Sequence, residues 1–433
     1  MKMKKNPFSI VLPIFVLLIL LSRCVSIPKE PVDFNKLRAA VAAELDYGWD
    51  HLWNDRYREA ELHFREALDV EKRLPEVYRG LGLALYAKGC YFQAAEMLMA
   101  AIEADPSSPF AVPVRDFIIS GIPFHKGIRQ RLNLANDLLA QQKTRPWIRR
   151  EGLLVLQDYY RWAEPDSRKV LQFTEDLGVV KDWRILGPFT NVAGSGFNKE
   201  FIDETDTGII DFEKTHLGLD NREITWISPH LWDNAGLVSF SEYLGFNSYC
   251  TGYAYSTVSI EEGDEYFITF SQAGTLKCWL DDEQIVSDSQ YRYGSEVHWI
   301  KRYMESGQHR FLIKVTNKTR WAGFKMSIHR ADTDASASQS SPAYANILPQ
   351  DEPSGFDPLL ADLAAQLDSD EKRLENAFWL GYMLMVKGYG REGLGLIERI
   401  EQLHPNTDSS YIGYLSSLIY NSIGKSNEAR NTL

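Results

Sequence analysis

Residues 75–106, PEVYRGLGLALYAKGCYFQAAEMLMAAIEADP, decide the fold of the N-terminal region. Apolar and small residues recur at helical spacing on both sides of Gly89, which predicts two amphipathic helices joined by a turn. The same pattern stands 34 residues earlier. Such a repeat is typical of stacked helical hairpins, because one hairpin cannot bury its apolar face alone. The equivalent positions are Gly48 and Gly82, Tyr57 and Tyr91, Ala60 and Ala94, Phe64 and Leu98, and Ala67 and Ala101.

The second copy of this pattern resembles the tetratricopeptide repeat. The residues that carry the resemblance are Tyr78, Leu81, Gly82, Leu85, Gly89, Ala94, Ala101 and Pro106. The first copy departs from the family pattern at Glu44 and His51, where apolar residues are expected. An outermost repeat, whose outer face is exposed to water, would have such polar residues.

The resemblance implies a concave groove, lined by the first helix of each pair, that binds a protein or peptide partner. It nominates Trp49, Arg79 and Tyr86 as partner contacts. A second interpretation stays open, since aromatic residues at helical spacing also pack against a neighbouring helix.

Residues 1–23 have the pattern of an export signal. Three lysines precede a largely apolar run of 14 residues, which falls short of the roughly 20 that span a bilayer as a helix. The motif Leu21-Ser22-Arg23-Cys24 then resembles a bacterial lipoprotein signal, although Arg23 replaces the small residue that the family prefers. The resemblance implies lipidation of Cys24, a tether over 24–35, and a lipid anchor in a membrane of the bacterial cell envelope, with the protein periplasmic or surface-exposed. Ordinary secretion and an uncut signal anchor are the alternatives.

The composition is that of a large globular chain with a mixed surface. Of 433 residues, 44% are hydrophobic and 24% charged, and the formal net charge is -12. Lysine and arginine form no basic block, which argues against nucleic acid as a partner, because phosphate binding needs clustered cations. Cys250 and Cys278 either form a disulfide or stay buried free thiols, and their spacing does not choose between the two.

Changes of pattern divide the chain into segments. Helical spacing covers 36–180, short alternating segments cover 181–332, a Ser-, Ala- and Pro-rich linker covers 333–358, and helical spacing returns over 359–433. The last segment repeats the helical pattern around Gly381 and is predicted to be incomplete. We therefore expect a multidomain α + β protein in which tetratricopeptide-like α-solenoid segments flank an antiparallel β-sandwich or jelly roll.

The middle segment contains about eight short runs with strand pattern. The clear ones cover 253–260, 266–270, 275–280, 297–303, 309–315 and 324–328. Three features carry a resemblance to the galactose-binding-like jelly rolls of bacterial glycoside hydrolases and transglutaminase-like proteins. They are the entry sequence WRILGPF at 183–189, a hairpin over 276–285 that turns at Asp281-Asp282, and Gly307-Gln308-His309 leading into a strand.

Glycan binding needs flat aromatic rings that are exposed beside polar groups. Trp279 alternates with Lys277 and Asp281, Trp321 follows Arg320 at a strand start, and Tyr291 and Tyr293 fall in a predicted loop. The four aromatic residues are candidate glycan contacts. Burial in the core is the alternative, because tryptophan is highly buried on average.

Motifs for catalysis are not recognisable in the sequence. Gly194-Ser195-Gly196 lacks the flanking residues of a phosphate loop or a nucleophile elbow, and the histidines lack metal-ligand spacing, so we expect no metal and no cofactor. The leading hypothesis is a non-enzymatic envelope scaffold that binds protein through its repeats and a glycan through its β-sandwich. The alternative is the N-terminal recognition part of a longer envelope enzyme, transglutaminase-like or glycan-processing, whose catalytic domain follows residue 433. A sugar-binding protein proper is the third hypothesis.

Overall fold

The computed structural model describes residues 34–122, 126–141, 144–205, 210–229, 234–245, 248–331, 357–369, 374–404 and 409–432. The predicted signal segment, Cys24 and the tether up to residue 33 lie outside these ranges, as does most of the predicted linker. Among the helices of these ranges, none is both long enough and apolar enough to cross a bilayer.

In the described part of the chain, eight α-helices precede the sheet. They are α1 Phe34–Trp53, α2 Tyr57–Val70, α3 Pro75–Ala87, α4 Tyr91–Ala104, α5 Ala111–Gly121, α6 Lys126–Leu139, α7 Pro146–Asp158 and α8 Ser167–Asp176. Proline begins α3 and α7, because the first helical residue needs no N–H donor. A π-helical turn, Tyr159–Ala163, follows α7.

The first two helical hairpins have the equivalence that the 34-residue spacing predicts. A Cβ atom on Gly48 would lie 2.7 Å from the Phe64 ring, and one on Gly82 would lie 2.6 Å from Leu98. Both distances are too short for any side chain, so each glycine lets α1 approach α2, or α3 approach α4, in the same way. Gly48 and Gly82 therefore occupy equivalent places in consecutive hairpins.

The middle of the chain forms one curled antiparallel sheet, a half-barrel, beside a two-stranded ribbon. The strands are β1 Arg184–Thr190, β2 His216–Leu217, β3 Glu223–Ile224, β4 Val238–Ser239, β5 Cys250–Ile260, β6 Asp264–Leu280, β7 Glu283–Met304, β8 Gly307–Thr316 and β9 Gly323–Arg330. The sheet order is β1-β5-β8-β6-β9-β4, with β7 on β6, while β2 and β3 form the ribbon. A short helix, α9 Phe240–Tyr243, follows β4.

Strand β6 changes its pairing partner partway along its length. Residues 266–273 pair with β9, residues 275–280 pair with β8, and β7 follows β6 on both sides of this change. Gly274 lies between the two halves with φ of 120°, and a Cβ there would be 2.3 Å from the Thr316 carbonyl oxygen, so the bend requires glycine. The two strands predicted over 266–270 and 275–280 are therefore halves of one strand.

The hairpin predicted at Asp281-Asp282 is confirmed. Both residues have positive φ, 47° and 74°, as the favoured two-residue hairpin turn requires. Strand β7 begins directly after this turn and continues to Met304. Tyr291 and Tyr293, which we expected in a loop, lie inside this strand, because β7 extends along nearly the whole of β6.

Further helices follow the predicted linker: α10 Pro358–Ser369, α11 Leu374–Val386, α12 Gly390–Leu403, α13 Ser410–Ser422 and α14 Ser426–Asn431. Helices α10 to α13 share one continuous apolar core with the N-terminal helices. The Trp53 ring contacts the rings of Phe378 and Tyr411, and the Phe117 ring contacts that of Trp379. The protein is thus a mixed α and β fold in which the two helical segments pack on each other.

Both faces of the sheet are buried. Leu276 and Cys278 face the core inside the curl, whereas Trp279 joins Leu312 and Tyr253 in a separate cluster on the other face. This alternation follows the two-residue period of a strand. Cys250 and Cys278 are both buried free thiols. Of the two alternatives, the structure therefore has unpaired cysteines and not a disulfide.

Candidate binding surface

The residues predicted to line the repeat groove have partners within the chain. Trp49 is buried and its indole N–H donates to Glu76 over 3.0 Å. Arg79 is buried as well, and its Nε donates to Glu375 of α11 over 2.5 Å. Tyr86 is half-buried, with its ring centroid 4.9 Å from that of Phe117.

The chain's own C-terminal helices lie against the N-terminal ones at this place. Tyr411 of α13 donates its hydroxyl to the Leu83 carbonyl oxygen, and Tyr382 of α11 hydrogen-bonds Ser120 of α5. Because Arg79 also contacts α11, an incoming peptide could reach it only if these helices moved. The predicted groove is therefore occupied by the chain's own helices, because α11 and α13 bury their aromatic faces there.

Trp279, the first candidate glycan contact, is 3% exposed. It lies on the sheet face opposite Leu276, as the alternation predicts, but a covering segment, residues 197–205 and 210–226, packs Phe201, Ile202 and Phe212 on that face. The expectation of an exposed ring is wrong for Trp279, because apolar residues of this covering segment pack on the same cluster.

A buried polar network holds the covering segment on the sheet. The Lys314 Nζ donates to Glu204 and to the Lys199 carbonyl oxygen, each over 2.7 Å, and the Tyr253 hydroxyl donates to Glu204 over 2.6 Å. Burial lowers the pKa of Lys314, although its bond to Glu204 opposes the change, while burial and Glu204 both raise the pKa of Tyr253. Since these groups satisfy one another, the network fastens the segment and presents no reactive group.

Trp321 is the predicted glycan contact that the structure places at the surface, with 66% of the residue exposed. It lies in the loop between β8 and β9, next to the exposed side chains of Lys318 and Arg320. Tyr291 is half-buried beside this loop, and the Lys318 Nζ lies 4.2 Å from the centroid of its ring. The structure thus brings Tyr291 and the Trp321 loop together. The side chain of Tyr293 lies outside the described part.

Two buried asparagines brace the loop that carries Trp321. The Asn191 amide donates to the Tyr291 hydroxyl over 3.1 Å and to the Asn317 carbonyl oxygen over 2.8 Å. Asn317 in turn accepts from the backbone N–H of Cys250 over 2.7 Å, and its amide donates to the Thr319 carbonyl oxygen. These bonds anchor the start of the loop that leads to Trp321 on β5.

A second exposed tryptophan lies in the helical region that precedes the sheet. Trp162, in the π-helical turn, is 71% exposed, and the Arg161 guanidinium carbon lies 4.4 Å from the centroid of its ring. Burial lowers the pKa of Arg161, and the charges of Asp158 and of Glu242 in α9 oppose that change. Ser241, the residue before Glu242, donates its hydroxyl to the Arg320 carbonyl oxygen over 2.5 Å.

We call Arg161, Trp162, Arg320 and Trp321 the arginine–tryptophan surface. The sequence did not nominate Trp162 as a candidate contact, because the residues around it have helical spacing. The dipeptide Arg161-Trp162, three residues before Pro165, was the available signal for a helix end with an exposed ring.

No family model matches the chain, and no curated protein matches it. Among solved structures, beta-glucosidase from Kluyveromyces marxianus in complex with glucose is similar over 20% of this chain and 12% of its own, with 15% identity and a TM-score of 0.19. An anti-sigma factor domain-containing protein from Clostridium clariflavum is similar over 20% of this chain and 29% of its own, with 17% identity and a TM-score of 0.18.

The GH31 alpha-xylosidase from Xanthomonas citri is similar over 26% of this chain and 16% of its own, with 10% identity and a TM-score of 0.17. This chain therefore matches less than a third of the length of each of these proteins. Similarities of this size do not inform the function.

Proposed function

We propose that this chain is a non-enzymatic binding protein of the bacterial cell envelope, anchored through Cys24, that contacts a glycan with its arginine–tryptophan surface. The observation that carries the proposal is the exposure of Trp321 on a loop braced by Asn191 and Asn317. An exposed indole on a fixed loop stacks on the apolar face of a sugar ring without a further ordering cost. The helices then serve as the support that holds this surface.

The charge around the two tryptophans supports a choice of glycan. Arg161, Lys318 and Arg320 are cations on a protein whose formal net charge is -12. Guanidinium groups bind carboxylates with paired, charge-assisted hydrogen bonds. We therefore expect a glycan that carries carboxylate groups to bind better than a neutral one of the same length.

A glycan array with the detergent-solubilised full chain tests the proposal. Loss of a central tryptophan in an interface costs about 2 kcal/mol or more, so Trp321→Ala and Trp162→Ala should each weaken binding about 30-fold. Tyr303→Ala is the matched control, since Tyr303 is also 66% exposed but lies on β7. Equal binding by all variants, or no bound glycan, would refute the proposal.

The same experiment tests whether this chain itself changes the glycan. Mass spectrometry of the bound glycan after incubation should recover it with unchanged mass. Shortened or transferred products that disappear with the tryptophan variants would show catalysis by this chain and would contradict a non-enzymatic function.

A further inference from the structure

The two positions at which the first repeat departs from its pattern lie on one face of α1. Glu44 and His51 are seven residues apart, and therefore two helical turns apart on the same side. His63 and Glu66 of α2, three residues apart, face them across the hairpin. The polar residues that replace expected apolar ones thus meet further polar residues that can bind a metal.

Three of these side chains direct their donor atoms to one point. The His63 Nδ1 lies 2.7 Å from an oxygen of Glu44 and 3.9 Å from an oxygen of Glu66. All three atoms lie within 4.8 Å of one another. One proton on the imidazole nitrogen can bridge to one carboxylate at a time, whereas a metal ion can bind all three atoms together.

His51 supports the orientation of His63. Their rings stack with centroids 5.1 Å apart and planes 10° apart. The Nδ1 of His51 is buried and has no hydrogen-bond partner among the described residues. His51 is a positioning residue in this arrangement.

We propose that Glu44, His63 and Glu66 bind a divalent transition-metal ion. Two carboxylates and a neutral imidazole carry two negative charges, which a divalent ion balances. A mixed nitrogen and oxygen donor set suits Zn²⁺ and its neighbours, whereas Ca²⁺ and Mg²⁺ prefer oxygen donors alone. The ion would take the place of the hydrogen on His63 Nδ1, and the neutral ring would carry its proton on Nε2 instead. The ion would join α1 to α2 in the first hairpin.

Isothermal titration of the full chain with Zn²⁺ at pH 7 tests this site. We expect one ion to bind per chain. His63→Ala should weaken binding by more than the 10- to 100-fold loss that the outer partners of a metal ligand typically cause. His309→Ala is the matched control, since His309 also pairs with a carboxylate, Asp281, at 2.6 Å but is not part of a three-ligand cluster.

Glu66→Gln keeps the proposal testable if His63→Ala disturbs the hairpin. The Glu66 side chain is 65% exposed, so this variant should retain the circular dichroism spectrum of the parent while it loses Zn²⁺ affinity. Absence of Zn²⁺ binding in the parent, or equal affinity in the parent, His63→Ala and Glu66→Gln, would overturn the proposal.

Discussion

Breaking the Arg79–Glu375 ion pair should loosen α11 from the N-terminal helices. The two residues are 296 positions apart in the chain, and their side chains are 7% and 2% exposed. The Arg79 guanidinium also lies 4.3 Å from the centroid of the Phe110 ring, and Glu375 accepts from the Trp379 indole over 3.3 Å. The pair therefore exists only while α3 packs against α11.

The expected magnitude follows from burial. Arg79→Met keeps much of the side-chain volume but leaves the Glu375 carboxylate buried without its cation, which costs about 3–5 kcal/mol. Glu375→Gln in the same chain removes that charge. The double variant should therefore be more stable than the sum of the two single effects by about 2 kcal/mol, within the range measured for residues in contact.

Native-state hydrogen exchange on the amides of α11 measures this effect locally, which matters because a chain of several parts does not unfold in one step. A loss of about 3–5 kcal/mol accelerates exchange roughly 100- to 4,000-fold. Arg145→Met is the control, because Arg145 pairs with Asp362 of α10 but is 50% exposed, and such pairs contribute about 1 kcal/mol or less. Additive effects of Arg79→Met and Glu375→Gln would refute the described packing of the two helical segments.

Three further predictions concern the tryptophans of the sheet domain, a buried carboxylate and the lipidation motif. Trp279→Ala should lower the free energy of unfolding of the sheet by about 3–5 kcal/mol in urea titrations, whereas Trp321→Ala should change it by less than about 0.5 kcal/mol. Burial opposes ionisation of Asp288, but a hydrogen bond from His298 and the charge of Arg292 lower its pKa to about 2. Its contribution of about 2 kcal/mol is therefore present above pH 4 and lost as the pH falls towards 2, so Asp288→Asn should destabilise the protein at pH 7 but not at pH 2 in thermal melts. Cys24→Ser should abolish incorporation of labelled palmitate and release the protein from the membrane fraction, and retained label would contradict lipidation.

Local spacing was sufficient to predict the helical hairpins. Gly48 contacts Phe64 and Gly82 contacts Leu98, each within one hairpin. Such residue pairs recur in the sequence at a fixed spacing. The strands of the curled sheet were predicted for the same reason, since a half-buried strand alternates. Both predictions concern neighbours that the chain brings together over a few tens of residues.

The sequence does not indicate which segment packs against an apolar helix face. Leu83 and Tyr86 on α3 have the same spacing whether they face a bound peptide, a neighbouring repeat or a helix from the far end of the chain. In the structure, the hydroxyl of Tyr411 reaches the Leu83 carbonyl oxygen from 328 residues away. The amphipathic pattern predicted that this face is covered, and it could not predict by which segment.

Trp279 and Trp321 show the same limit on a sheet. Alternation placed Trp279 on the face opposite Leu276 correctly, and Lys277 and Lys314 indicated that polar side chains occur along these strands. Lys314 is nevertheless fully buried, because Glu204 of the covering segment neutralises it from 110 residues away. A polar residue in a strand therefore indicates solvent only where no distant partner meets it. Trp321 stays exposed because it lies in a loop and not on a sheet face. Asn317 anchors the start of that loop on β5.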